Sequence, residues 1–356
     1  NHNPRLDVAL AIKKKSISMN TAVIPTLVRD SVLRQPGMVR ILDRRVFPHT
    51  IEFVECADVE ACAKAIEDMV TQSAGPGKVA GAALALAAES CADADAEGRK
   101  AAMTAAGARL LKTRPTNNNI RDVVAAVNAE LPQIVLRDDF VEVVDRLVRA
   151  QWDTRLKNCR RLGTAAAALI DDGDAILTHC WAETSLIDTL SVCIESGKRI
   201  SVICTETRPY LQGARLTAHS VAEMGLPVTV ITDGMAAHAM ANGLVNRYMT
   251  AADRVTLSGH VFNKVGTFQI ATAAKALDVP YIAMVLKPDR LAPGPKAVEL
   301  EMRDGDESLY CLGHRTATPL AKGWYPAFDI TPPEFVTAYA TQDGVFRPRE
   351  LEAHFG

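Results

Sequence analysis

No CxxC pair occurs among the eight cysteines of this chain, Cys56, Cys62, Cys91, Cys159, Cys180, Cys193, Cys204 and Cys311. A zinc site built on that motif is therefore not expected, and no metal or other cofactor is assigned. No apolar stretch reaches the roughly 18 residues that a membrane span needs. Nor is there an excess of one charge: 40 basic side chains face 42 acidic ones, a net charge of -2. That balance leaves no electrostatic footprint for nucleic acid or an anionic membrane. The opening "NHNPRLDVALAIKKKSISMN" lacks an apolar segment and a cleavage site, so no secretory leader is expected. Glycine patterns are missing too. No GxGxxG follows any predicted strand, which argues against a nicotinamide dehydrogenase. Several cysteines sit in apolar runs as small hydrophobes, and the inventory reads as reduced and cytoplasmic.

What is present is an ordinary soluble composition, 48% apolar and 23% charged over 356 residues, enough for two domains. Residues 20–165 read as a mainly helical domain. Segments such as "VEACAKAIEDMV" and "DDFVEVVDRLVRAQWDTRLKNCRRLGTAAAALI" carry apolar residues at helical spacing. A small hairpin is expected at "MVRILDRRVFPHTIEFVEC", turning at "FPHT". From 166 to 356 short apolar runs alternate with helices. The runs are "AILTHC", "RISVICTET", "PVTVITD", "RVTLSGH" and "YIAMVL". Strands spaced by helices imply βαβ units and a parallel sheet, an α/β Rossmann-like domain. The helix expected over 140–170 carries the chain from one domain to the other.

Ligands of such sheets bind beyond the carboxyl ends of the strands. Cys180, which ends "AILTHC", is at such an end, although a strand-end cysteine is often only structural. His179 reads equally as a hydrogen-bonded strand residue. "TETRPYLQGARLTA" offers Gln212 and two arginines where a helix starts at Gly213, an anion site or a surface turn. "AADRVTLSGHVFNKVGT" puts Asp253 before a strand and Asn263-Lys264 at the start of the following helix. Asn263 there is either an N-cap or, with Lys264, part of a phosphate or hydroxyl site. "KTRPTNNNI" around Arg114 is too polar for a core. "QSAGPGKVAG", with Ser73 and Gly75, resembles a phosphate-cradling turn but matches no phosphate-loop pattern.

Taken in order, "TRPT", "ILTHC", "TRPYLQGARLTA", "VITDGMAA", "AADRV", "NKVGT" and "YPAFDITPPEF" resemble one family. It joins methylthioribose-1-phosphate isomerase, ribose-1,5-bisphosphate isomerase and the regulatory subunits of eukaryotic initiation factor 2B. The resemblance implies that Cys180 and Asp253 are a catalytic pair. It also implies that Arg114, Gln212, Asn263 and Lys264 line a sugar-phosphate pocket, with Ser73 and Gly75 in the early motif. Methylthioribose-1-phosphate isomerases usually have an arginine where this chain has Ser73, and Asn-Thr-Gly where it has Trp181-Ala182-Glu183.

The implied activity is aldose–ketose isomerisation of ribose 1,5-bisphosphate or a related ribose 1-phosphate. Methylthioribose 1-phosphate is the alternative substrate, and a non-catalytic sugar-phosphate or nucleotide sensor is the alternative of another class. The expected partners are a small sugar phosphate and a second copy of the chain, in a homodimer or higher homo-oligomer. Opening the sugar ring needs a proton on the ring oxygen. A carboxyl supplies it only if burial raises its pKa by about three units, roughly 4 kcal/mol. Asp253 is expected to face the ring oxygen and Cys180 the sugar carbons. A residue that merely precedes a strand would lie on the face opposite Cys180. "TLSGHV" is too polar for a buried parallel strand, so "AADRV" is taken as a strand end and "TLSGHVFNK" as mostly loop.

Overall fold

The computed structural model describes residues 21–356 apart from Thr116. The reading of residues 1–20 as free of a leader, and the last residue of "TRPT", lie outside the described residues.

The chain enters through a short helix α1 (Thr26–Arg29) and an antiparallel meander, β1 (Val32–Gln35), β2 (Met38–Leu42) and β3 (Phe53–Cys56). The expected hairpin is β2–β3, joined by residues 43–52. Helices α2 (Val59–Glu67), α3 (Gly75–Ser90), α4 (Ala96–Thr113), α5 (Asn118–Ile134) and α6 (Phe140–Ala167) follow. Three of them begin on side chains that take an otherwise unpaired N–H: Asp58 for α2, Asp95 for α4 and Asn117 for α5. Almost every residue of the Ala-rich α3 is buried, so it forms the centre around which the others pack. At 28 residues α6 is about 42 Å long at 1.5 Å per residue, and it crosses position 165 without a break.

Beyond α6 come β4 (Ala175–Thr178), α7 (Glu183–Glu195), β5 (Ser201–Thr205), α8 (Ala218–Glu223), β6 (Val228–Ile231), α9 (Ala236–Ala241) and β7 (Arg247–Ala251). A two-residue β8 (Arg254–Val255), β9 (Val261–Lys264), α10 (Thr267–Ala276) and β10 (Tyr281–Met284) follow. Two small pairs are β11 (Met302–Arg303) with β14 (Tyr325–Pro326) and β12 (Tyr310–Cys311) with β13 (His314–Arg315). The chain ends in β15 (Phe328–Thr331), β16 (Ala338–Thr341), β17 (Gly344–Phe346) and α11 (Leu351–Phe355).

Among the described residues, the central sheet runs β17-β16-β10-β7-β4-β5-β6, parallel except for the edge strand β17. The period of two sends Ile176 and Val202 into the core on one face, and Leu177 and Ile203 into the core on the other. The protein is thus α/β, helical first and Rossmann-like after. No helix among the described residues is long and apolar enough to cross a membrane.

Two local expectations need correction. "RVTLSGH" is not a sheet strand: only Arg254–Val255 is extended, and it pairs with β9 outside the central sheet. Asn263-Lys264 do not start a helix; they end β9, which pairs antiparallel with β15. Gly266, at φ +105°, makes the turn into α10 that a side chain would resist.

Candidate active site

Strand order reverses between β4 and β7. From β4 the chain steps outward to β5 and β6, then returns past β4 to β7, β10 and β16. Loops leaving the two inner strands part at that point and open a crevice. Cys180 stands two residues beyond Thr178, the last of β4, and Asp253 two beyond Ala251, the last of β7. Both line one cavity of about 70 Å³, together with Ser73, Arg114, Gln212, Asn263 and Lys264. A wider cleft of about 360 Å³ adjoins it, sharing Ser73, Arg114, Asp253 and Phe328.

The backbone of Cys180 is held at φ +69°, an unusual value for a residue with a side chain. Its N–H donates to Thr207 Oγ1 at 2.9 Å, and its carbonyl accepts from Thr217 Oγ1 at 2.6 Å. Asp233 supports this frame by accepting from the N–H groups of Thr207 and Arg208, both at 2.8 Å. His179, one residue earlier, is buried and shares the same frame. A carbonyl only accepts, so Nε2–H donates to Val265 O at 2.9 Å, and Nδ1 accepts from Thr205 Oγ1 at 2.6 Å. Burial lowers its pKa, which favours this neutral tautomer. This histidine is a support and not a reacting group.

Burial shifts both candidate groups in the same direction. Burial pushes the Cys180 thiol up to about 11, and Lys264 opposes the rise. Burial likewise raises the Asp253 carboxyl, against the pull of Lys264 and Arg114. Asp253 is exposed at the cavity, yet protein packs around its carboxyl on the other sides, and this crowding desolvates it. Lys264 is buried, with Nζ 3.3 Å from Tyr325 Oη and about 5 Å from the Phe328 ring centre (5.3 Å). Arg114 reaches Glu301 at 3.4 Å, and Glu301 also holds Arg303 at 2.8 Å.

Asn263 is less available. Its Nδ2 donates to Thr267 Oγ1 at 3.0 Å, which fastens β9 to the first turn of α10. Gly75 lines neither cavity. A Cβ there would meet Thr71 Oγ1 at 1.9 Å, so the glycine serves close packing. The "QSAGPGK" turn does not cradle an anion with its N–H groups: Ala74 N–H donates to Glu183 Oε2 at 2.9 Å and Gly75 N–H to Gln72 O at 3.0 Å. The proposed anion site at Gly213 is also filled from within, since the chain makes a π-helical turn over Gly213–Thr217 before α8. Ala214 N–H donates to Glu206 O, and Arg215 is spent on the carbonyls of Arg44, Arg45 and Phe47.

Three residues not foreseen as ligands line the small cavity: Gln72, Trp181 and Arg303. Trp181 Nε1, Gln72 Nε2 and Gln212 Oε1 are buried without hydrogen-bond partners among the described residues. Unspent donors and acceptors in the walls suit a polar, hydroxyl-rich ligand. Among the described residues, no group of three or more His, Cys, Asp or Glu side chains is placed to hold a metal ion.

This is an α/β protein whose switch-point crevice brings together a half-buried thiol, a desolvated carboxyl and a lysine. The chain belongs to the initiation factor 2 subunit family, whose model matches residues 73–348. It is 36% identical over 336 residues to the methylthioribose-1-phosphate isomerase of Heliobacterium modesticaldum, covering 91% of this chain and 97% of that one. The Thermotoga maritima protein of the same name is 33% identical over 322 residues, covering 87% and 92%. The crystal structure of 5-methylthioribose 1-phosphate isomerase from Pyrococcus horikoshii matches with a TM-score of 0.82 at 27% identity, over 94% of this chain and 95% of that one. The structure titled translation initiation factor eIF-2B, subunit delta, from A. fulgidus matches at 0.75 and 31% identity, over 90% and 96%.

Proposed function

We propose that this protein is an aldose–ketose isomerase that converts a 5-substituted ribose 1-phosphate to the corresponding ketose 1-phosphate. The observation that carries the reading is the meeting of Cys180 and Asp253 in one cavity beside Lys264. The names of the full-length relatives support it.

In this reading Asp253 enters the reaction protonated, because its raised pKa favours the neutral acid. It gives that proton to the ring oxygen as the bond from C1 to that oxygen breaks. The hydrogen on C2 then moves to C1, the C2 hydroxyl loses its proton to the Asp253 carboxylate, and C2 becomes the ketone carbon. The phosphate stays on the C1 oxygen throughout. Cys180 lies by the C1–C2 bond as a neutral thiol. The hydrogen travels directly from C2 to C1 as hydride, or as a proton: the thiol first releases its own proton to solvent through the cleft, and the thiolate, held beside the Lys264 cation, takes the proton from C2 and returns it to C1. Arg114, Lys264 and Gln212 bind the phosphate and hydroxyls. The reading keeps a helical unit, 20–165, and a sheet unit, 166–356, with substrate between Arg114 and Ser73 of the first and Lys264 of the second.

The carbon-5 substituent extends into the wider cleft. Met284, Val285, Leu286 and Val298 contribute apolar wall there, while Arg155 is held by Asn119 and Arg254 by Asn118 and Asp289. That apolar wall suits an uncharged substituent such as methylthio, while Arg121, Lys287 and Arg290, which also line the cleft, are the cations a second phosphate would meet. The test is ketose formation from methylthioribose 1-phosphate, ribose 1-phosphate and ribose 1,5-bisphosphate. Turnover of the methylthio compound above the other two is expected. Tight binding without turnover of any of the three would make the protein a sensor.

A further inference from the structure

Glu183 and Arg44 form an ion pair at 3.0 Å with almost no exposure, 0% for the arginine side chain and 5% for the glutamate. Neither side chain lines the catalytic cavity. A buried pair is a poor source of stability, because desolvating two charges offsets most of their attraction. Its hydrogen bonds give it another use. Glu183 Oε2 accepts from Ala74 N–H at 2.9 Å, and Arg44 donates to Gln72 O at 2.7 Å and Ser31 Oγ at 2.9 Å.

The pair thereby ties three separate turns together. One follows β2 and carries Arg44. The second, Gln72–Ala74, forms a wall of the cavity, with Ser73 at φ +60°. The third leaves β4 and runs from Cys180 to Glu183, whose φ values are +69° and +46°. Side chains rarely sit at such angles unless their surroundings hold them there. Arg215 grips the Arg44 turn through its carbonyls, which couples the Gln212 segment to the same knot.

We propose that the Arg44–Glu183 pair is a positioning device for Cys180, holding the turn that bears the thiol against the Gln72–Ala74 wall of the substrate cavity. The kinetic half of this claim rests on the isomerase reading above. The structural half does not, because the reactivity of Cys180 is measurable without substrate.

Glu183→Gln keeps the size of the side chain and one oxygen for Ala74 N–H, and removes the charge. It is expected to lower kcat by about tenfold or more while KM changes less than about threefold. Alkylation of Cys180 by iodoacetamide, followed by peptide mass analysis, should quicken by about fivefold or more, with Cys311 unchanged as the internal reference. Because the single variant leaves Arg44 unpaired in the interior, the double variant Arg44→Met/Glu183→Leu is measured beside it. An apolar pair of similar volume restores thermal stability. The double variant should regain Tm without regaining kcat or slow alkylation. A return of kcat together with Tm would reduce the pair to a stabilising contact and overturn the proposal. Wild-type alkylation and kcat in folded Glu183→Gln would overturn it as well. If the wild type forms no ketose from any ribose 1-phosphate, the isomerase reading fails, and the alkylation rates alone decide the proposal.

Discussion

Cys180 and Asp253 are 73 positions apart in the chain, and each stands two residues beyond the end of one of two neighbouring parallel strands. β4 and β7 pair through Ile176 with Arg247 and Leu177 with Tyr248, so their carboxyl ends finish side by side. The sheet's reversal at this pair opens the crevice, and both side chains line it. One substrate can therefore touch both.

Replacing the thiol separates chemistry from binding. Cys180→Ser should cut turnover by on the order of 10² or more and leave the affinity for a sugar phosphate nearly intact. Steady-state kinetics paired with calorimetry provide both readings. Near-normal turnover would reduce Cys180 to packing.

Asp253 should cost the fold stability. Its folded pKa is raised by burial, so the folded state resists losing a proton that the unfolded chain gives up readily, and stability is penalised wherever the unfolded chain has ionised. The penalty is absent below the unfolded value near 4, grows as pH rises from there to the folded pKa, and is constant above it. Asp253→Asn removes the penalty. Its Tm should exceed that of the wild type at pH 7 to 8, with the difference shrinking to nothing as pH falls to about 4, while activity is lost. A Tm below that of the wild type at neutral pH would contradict the assignment of burial as the cause.

Arg114 tests the phosphate contacts. Loss of one charge-assisted bond in a water-poor site costs about 2–4 kcal/mol, roughly 30- to 1,000-fold in kcat/KM. Arg114→Ala should show this mainly as a higher KM. An unchanged KM would put Arg114 outside the bound ligand, occupied only with Glu301.

Gly75 separates packing from ligand binding in the early motif. Gly75→Ala forces a methyl against Thr71 Oγ1 and should destabilise the fold by about 1–3 kcal/mol. Denaturant titration gives that number. A stable variant with selectively weakened phosphate binding would restore the anion-cradle reading.

The order of helices and strands was legible because periodicity reports burial, and the strand ends named the face on which the cavity lined by Cys180 and Asp253 opens. The placement of Asp253 was legible for a subtler reason: "TLSGHV" is too polar for a buried strand, which moved the strand boundary ahead of it. The part that periodicity could not supply is long-range. Asn263-Lys264 read as a helix start, but pairing with Asp329 and Phe328 of β15, 66 and 64 positions on, draws them into a strand. The Arg44–Glu183 pair spans 139 positions, and no local pattern marks two charges that meet only in the folded interior. Gly75 reads as part of a phosphate turn from its neighbours in sequence, whereas in the fold Thr71 and Arg44 fill the space a side chain would need.

In the proposed reaction the thiol and the carboxyl act on one sugar phosphate. The most direct measurement is a phosphorus NMR time course of methylthioribose 1-phosphate with the wild type, Cys180→Ser and Asp253→Asn at equal, saturating occupancy. Ketose 1-phosphate should accumulate with the wild type and form at least about 10² times more slowly with either variant. Accumulation at the wild-type rate in either variant would contradict the claim.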